Sequence, residues 1–357
     1  MSTPVEDRLR ARIAAEGPLP VEDVMAEANA AYYARGTAIG AAGDFITAPE
    51  ISQVFGEVVG LWTAVVWQLL GMPKPVSLVE CGPGRGTLMA DALRALAPVP
   101  AFREALEVHL VETSPALREV QCATLGDAVT AWHDGLETLP DRPLLLIANE
   151  FLDALPVRQY VRVGAAWHLR RVDVDADGAF RFVTGEPVAA DDLDPRVRAR
   201  APDGAIAEVC PAARDVVAAV ARRVAARGGA AVFIDYGHAV SAGGDTLQAV
   251  RRHAQHPVLQ GLGTVDLTAH VDFQALAESA ESAGVLSHGP VDQGSWLRAL
   301  GAEMRAAQLC RHANENQAEA VRSGVRRLID PGEMGTLFRV FAVTAPGLAS
   351  PPGFEGT

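Results

Sequence analysis

The sequence predicts an α/β protein: a doubly wound parallel sheet, preceded by a helical segment and interrupted by an antiparallel β meander. Three observations carry that expectation. Short apolar runs alternate with helix-forming segments from Val76 to Ala148, the rhythm of βαβ units. Leu144 to Ala148 is unbroken aliphatic sequence, as in a strand buried on both faces. Between Val157 and Glu208 the rhythm gives way to alternating short strands, as in antiparallel hairpins.

Residues 1–75 read as an N-terminal helical segment. Two short helices fit residues 6–31, broken at Gly17-Pro18-Leu19-Pro20, and a glycine-rich stretch follows from Gly36 to Gly43. The clearest helix comes next. Ile51, Val54, Phe55, Val58, Trp62, Val65, Val66 and Leu69 recur at three- and four-residue steps, which places them on one face. Thr47 and Glu50 have capping-box spacing before it. Gly71 and Pro73 end it.

The core is expected over 76–156 and 210–344. Strands fit 76–80, 106–112, 128–132 and 144–148, with helices at 87–96 and 115–125. The inserted meander, 157–209, holds strands at 157–161, 167–174 and 180–183, with a turn at Asp177-Gly178. A helix at 211–227 and a buried strand at 230–235 restore the α/β rhythm. Residues 237–268 read as a long loop rich in Gly and His, and loops of that length are functional or mobile. Helices fit 271–283 and much of 292–330, a last strand 337–343, and a flexible tail 345–357.

At 357 residues the chain suggests about two domains. A net charge of −13 argues against a non-specific grip on nucleic acid or on an anionic membrane. Lys74 is the only lysine and stands between Pro73 and Pro75. That excludes Schiff-base chemistry, and no Walker-type phosphate loop has its lysine. Cys81, Cys122, Cys210 and Cys310 stand far apart, which supports neither structural zinc nor a disulfide framework. Met1 to Arg12 carries Glu6 and Asp7 and lacks a long apolar stretch, so no targeting peptide is expected. The longest charge-free apolar stretch, Val58 to Pro73, is shorter than the roughly 20 residues of a spanning helix. A cytoplasmic protein is expected, without membrane insertion.

The chemistry concentrates at strand ends. Glu80-Cys81-Gly82-Pro83-Gly84-Arg85-Gly86-Thr87 follows the first strand. Gly82, Gly84 and Gly86 let the backbone bend tightly and a ligand approach it closely, and the next helix presents free N–H groups. The third glycine comes one position too early for a nicotinamide fingerprint. Glu80, just before the glycines, suits a cation such as the amino end of a methionine moiety. Glu112 closes the second strand, where an acid can accept bonds from ribose hydroxyls or can cap the following helix. Asp134, after the third strand, either reaches an adenine amino group or serves the turn.

The fourth strand ends in Asn149-Glu150-Phe151-Leu152-Asp153. Ligands of open α/β sheets bind outside the carboxyl ends of strands, so Asn149, Glu150 and Asp153 are placed where an acceptor would meet a cofactor. Paired carboxylates can hold a guanidinium. Asp153 can equally cap the next turn. Asp235, in Asp235-Tyr236-Gly237-His238, is either an acceptor-site acid or an anchor for the long loop. His253 and His256 lack a third metal ligand, so no metal site is expected. The polar run Thr47 to Gln53 is expected beside the pocket.

With these residues laid out, the chain resembles the MidA family of class I S-adenosylmethionine-dependent methyltransferases. The resemblance rests on residues 43–57, with Pro49-Glu50-Ile51-Ser52-Gln53 its most specific part, on Glu80 to Thr87, Val111-Glu112, Asn149 to Pro156, Glu208 to Pro211, Asp235 to His238 and Thr264 to Phe273. It implies a seven-stranded methyltransferase sheet with a family insertion and S-adenosyl-L-methionine as cofactor. With that cofactor, Glu80, Gly82, Gly84, Gly86, Glu112, Asp134, Asn149, Thr47 and Glu50 are expected on the cofactor side. That leaves Glu150, with Asp153 or Asp235, to hold an acceptor guanidinium. Mitochondrial members act in complex I assembly, which implies a protein arginine of the quinone-site subunit as substrate, symmetrically dimethylated. The rival readings are an assembly factor that binds without turnover and a nicotinamide oxidoreductase.

Overall fold

The computed structural model describes residues 2–35, 46–251 and 254–355. The glycine-rich stretch 36–43 and His253 lie outside the described residues.

Helix α1 (Pro4–Glu16) is capped by a Thr3–Glu6 capping box, and its break at Gly17 leads through β1 (Leu19–Pro20) into α2 (Val21–Ala34). The segment expected as one capped helix divides in two. Thr47 starts a single turn, α3 (Ala48–Ile51), but its hydroxyl caps nothing. Ser52 caps the long helix α4 (Gln53–Leu69), accepting from Val54 N at 3.3 Å. The capping box expected of Thr47 and Glu50 is therefore absent, because the Glu50 carboxylate is drawn to the Thr87 hydroxyl instead.

The core runs β2 (Val76–Cys81), α5 (Thr87–Ala95), α6 (Pro100–Arg103), β3 (Leu106–Val111), α7 (Pro115–Leu125), β4 (Val129–His133) and β5 (Leu144–Asn149). The insertion follows: β6 (Arg158–Val163), β7 (Ala166–Val174), β8 (Phe180–Val188), α8 (Pro195–Arg200) and β9 (Ile206–Val209). Then come α9 (Pro211–Arg227) and β10 (Gly229–His238). The segment expected as a long loop holds β11 (Gln248–Arg251), β12 (Ala254–His256) and β13 (Asp266–Thr268), paired as a small antiparallel sheet. The chain closes with β14 (Val271–Asp272), α10 (Phe273–Glu281), β15 (Leu286–Asp292), α11 (Gln293–Ala299), α12 (Ala302–Cys310), α13 (Glu315–Ile329), α14 (Met334–Leu337) and β16 (Phe338–Thr344).

The main sheet has the order β15-β16-β10-β5-β2-β3-β4, with β14 added beside β10. Its strands are parallel except β16, which runs antiparallel to both neighbours. The direction of winding reverses between β2 and β5, which opens a crevice at their carboxyl ends. One face packs under α4, α5, α11 and α13, the other under α9 and α10. Helix α4 reaches α5 closely because Gly56 and Gly60 have no side chain: a Cβ on Gly60 would stand 2.6 Å from Ala92 Cα. Glu57 is buried between these helices and α12, and both Arg94 and Arg305 bond it.

The insertion forms its own antiparallel sheet, β1-β7-β6-β9 with β8 on β7, and β1 ties it to the N-terminal helices. The sheet of β11 to β13 packs on α1 and α2 through Leu247, Leu262, Val265 and Leu267. The tail departs from expectation. Phe354 is fully buried against Trp296, and Trp62 Nε1 donates to Pro352 O at 3.1 Å. An aromatic residue eight positions beyond Pro346 supplies apolar area that a Gly/Pro composition hides. Among the described residues, no helix is long and apolar enough to cross a membrane.

Candidate functional site

A cleft of about 1030 Å³ lies over the carboxyl ends of β2, β3 and β5. Its floor is the glycine loop. Gly82, Gly84 and Gly86 all have positive φ, at 63°, 53° and 81°, a backbone that favours glycine. At Gly82 a Cβ would meet Phe151 Cδ2 at 2.8 Å. Glu80 is buried beneath the loop, and its Oε2 has no hydrogen-bond partner among the described residues. Burial pushes its carboxyl up to about 8, against a bond from the Met89 backbone that lowers it. An orphaned buried acceptor costs stability until a donor arrives, and a cationic ammonium group is the donor that would also ionise it.

Glu112 lines the cleft from the end of β3. Its Oε1 accepts from Ser114 N at 2.8 Å and its Oε2 from Gln121 Nε2 at 3.1 Å. Gln121, fully buried on α7, also donates to Gly84 O at 2.8 Å and accepts from Trp132 Nε1 at 2.9 Å. It fastens the glycine loop to Glu112, a role the sequence reading missed. The signal was an amide on the buried face of a helix, four residues after Leu117. Asp134 stands exposed at the rim, paired with Arg118 Nη2 at 2.7 Å.

Segment Thr47 to Ile51 bridges the reversal point. Thr47, Pro49 and Glu50 line the cleft, as expected of the polar run. Thr87, the first residue of α5, donates to Glu50 Oε1. On the other side Ala48 N donates to Glu150 Oε1 at 2.7 Å. Glu150 takes φ 49°, a strained backbone for a residue with a Cβ. Burial pushes its carboxyl up to about 7, and the Asp153 charge adds to the rise. Its Oε2 has no hydrogen-bond partner among the described residues.

The three expected acceptor-site acids lie near enough for the charges of Glu150 and Asp153 to raise the Asp235 carboxyl, but only one of them lines the cleft. Glu150 and Asn149 line the cleft, whereas Asp153 and Asp235 lie behind its wall. Asp235 Oδ2 accepts from Leu152 N at 2.9 Å and Asp153 N at 3.2 Å, and Oδ1 from Tyr236 N at 3.0 Å. That carboxylate holds the turn after β5 and does not line the cleft. Asp153 faces the Tyr236 hydroxyl, and burial pushes its carboxyl up to about 6. From α2, Tyr33 reaches the cleft and donates to Asp266 at 2.8 Å, while Asn29 pins α2 to Ala154 O and Leu267 O. Neither was legible, because nothing local links residues 29–33 to a sheet that starts at Val76.

A glycine loop at the switch point, an acid under it and a second acid at the next strand end define a class I S-adenosylmethionine-dependent methyltransferase. The chain belongs to the MidA family of these enzymes: the S-adenosyl-L-methionine-dependent methyltransferase family model Methyltransf_28 matches residues 58–291. Relatives span nearly the whole chain. The mitochondrial protein arginine methyltransferase NDUFAF7 homolog of Drosophila melanogaster is 36% identical, over 96% of this chain and 85% of its own. Mouse mitochondrial protein arginine methyltransferase NDUFAF7 is 37% identical, over 96% and 84%. A COG1565 superfamily member from Burkholderia thailandensis, bound to S-adenosyl-homocysteine, superposes with a TM-score of 0.83 at 27% identity, covering 100% of this chain and 97% of that one. The expectation of a cytoplasmic protein is corrected here, because these curated relatives are named mitochondrial. The residues present fit the cofactor: the orphaned Glu80 Oε2 calls for a cation, and the glycine loop leaves its main chain open to approach.

The raised Glu80 carboxyl has a measurable consequence. In the ligand-free protein it is protonated at neutral pH, so its contribution to stability is full below 4.5 and is lost as pH rises through about 8. A cationic ligand must displace that proton. S-adenosylhomocysteine titrated calorimetrically from about pH 6 to about pH 7.5 will bind more tightly as pH rises, by up to about tenfold per unit. Glu80→Gln will flatten that dependence. A flat profile in the wild type would remove Glu80 from the ammonium.

Proposed function

We propose that the protein methylates arginine in a protein substrate, making symmetric dimethylarginine on the quinone-site subunit of respiratory complex I. The observation that carries the acceptor class is Glu150: a carboxylate in the cleft with one oxygen held by Ala48 and Asn149 and the other unpaired. Such an oxygen suits a guanidinium. The names of the relatives, protein arginine methyltransferases over almost the full chain, support the same acceptor.

In this reading the glycine loop and Glu80 seat the methionine end of the cofactor, and Glu112 holds the ribose. Asp134 lies toward the adenine, while Thr47 and Glu50 close the near wall. The cofactor's sulfonium supplies an activated methyl group when bound. The protein's task is then positioning and electrostatics. Glu150 holds the guanidinium in line, and its negative charge favours the attacking nitrogen.

Incubating the purified protein with S-adenosylmethionine and the complex I subunit tests this by mass spectrometry. Dimethylarginine on the subunit, with matching release of S-adenosylhomocysteine, is the expected result, and cells lacking the gene will lack that mark. Tight binding of the subunit without cofactor turnover would make the protein an assembly factor instead.

A further inference from the structure

Asn149 is buried and lines the cleft, yet only half of its amide is satisfied. Its Nδ2 donates to Glu150 Oε1 at 3.0 Å, while its Oδ1 has no partner among the described residues. The amide cannot be turned round without setting Oδ1 against a carboxylate oxygen, so the unpaired acceptor is fixed in direction. Among the described residues the cleft therefore contains two orphaned acceptors that are fully buried, Glu80 Oε2 and Asn149 Oδ1, besides the more open Glu150 Oε2.

Sheet register separates them. Glu80 stands opposite Ile147, and Asn149 is two residues further along β5, on the same face and about 7 Å nearer the strand's open end. Strict alternation would point Glu150 to the opposite face. Its φ of 49° breaks the alternation, and the carboxylate meets Ala48 N and Asn149 Nδ2 on the side of the α3 bridge. The deeper orphan lies under the glycine loop. The outer one belongs to an amide whose Nδ2 donates to the carboxylate assigned to the acceptor.

We infer that Asn149 belongs to the acceptor side of the site: its Oδ1 takes an N–H of the incoming guanidinium and turns the attacking nitrogen toward the methyl donor. The inference rests on the proposed arginine acceptor, and it moves Asn149 out of the cofactor set. As the C–N bond forms, the electron pair of the methyl–sulfur bond stays on sulfur. The nitrogen then sheds one proton, and Glu150, bonded to Asn149, has an unpaired oxygen to receive it.

Two variants test this with an arginine peptide as acceptor and S-adenosylhomocysteine as the binding probe. Asn149→Ala will bind the probe within about threefold of wild type, while kcat falls by about thirtyfold or more. Asn149→Asp keeps an acceptor oxygen and the side-chain volume. It will recover part of the turnover, and its added charge beside Glu150 will move the acid limb of kcat/KM to higher pH. Probe affinity that falls as far as kcat would return Asn149 to the cofactor and overturn the inference, as would unchanged kcat in both variants. A wild-type enzyme that methylates another nitrogen nucleophile and no arginine would overturn the proposed function instead. The kcat of Asn149→Ala on that acceptor would still decide the side on which Asn149 works.

Discussion

In a thermal melt, S-adenosylhomocysteine will raise the melting temperature of the wild-type protein and leave that of Gly84→Val unchanged, while NADH will shift neither. A ligand that binds only the folded state stabilises it by about 2.7 kcal/mol at a hundredfold excess over Kd. In the proposed reading the cofactor approaches the main chain of the glycine loop, and Gly84 is its middle glycine, with φ 53°. A β-branched side chain there costs about 1–3 kcal/mol of strain and fills the space above the loop. Gln121 Nε2 bonds Gly84 O, so any shift of the backbone to relieve the strain also disturbs Glu112. The ligand-free variant will melt lower than wild type, which makes the ligand-induced increment the decisive reading. A retained increment would show that the loop does not contact the cofactor.

Glu150→Gln will reduce methylation of the protein substrate at least about a hundredfold, roughly 2.7 kcal/mol of transition-state stabilisation. Its affinity for S-adenosylhomocysteine will stay within about threefold, under roughly 0.7 kcal/mol. The glutamine oxygen can still accept from Ala48 N and Asn149 Nδ2, so the α3 bridge survives. What is lost is the charge that pairs with a guanidinium and the base that takes its proton. Because the Glu150 carboxyl sits at about 7, wild-type kcat/KM will rise with pH through that value, as the working form is the carboxylate. Residual turnover in the variant will lack that limb. Asp153→Asn will cost less, since Asp153 lies behind the cleft wall beside Tyr236. Normal turnover in Glu150→Gln would remove it from the site. Equal loss of binding and turnover would place it at the cofactor.

The parallel core was legible to within a residue or two at most strands, since βαβ units announce themselves by local periodicity. The glycine loop, Glu80 and Glu112 were legible for a related reason: strand-end residues fall at the switch point once the strand order is set. The readings that failed depended on long-range partners. Thr47 and Glu50 have capping spacing, but Thr87 and Glu150 compete for that turn and win. Residues 237–268 read as a loop because β11, β12 and β13 have only three or four residues each, too few for a periodic signal.

By itself the sequence determined the class of fold, the glycine loop and the strand ends that open into the cleft. Those depend on hydrophobic period and on glycines at fixed offsets, which act within one supersecondary unit. Only the tertiary structure decided what each acid does. Asp235 on β10 stands level with Glu150 just past β5, yet one accepts from three backbone N–H groups and the other keeps an oxygen without a partner among the described residues. The difference is set by the φ of a single residue and by which chain segments pack against each strand end. Burial and hydrogen-bond partners across a hundred residues of sequence fix a carboxylate's charge and direction, and no local pattern records them.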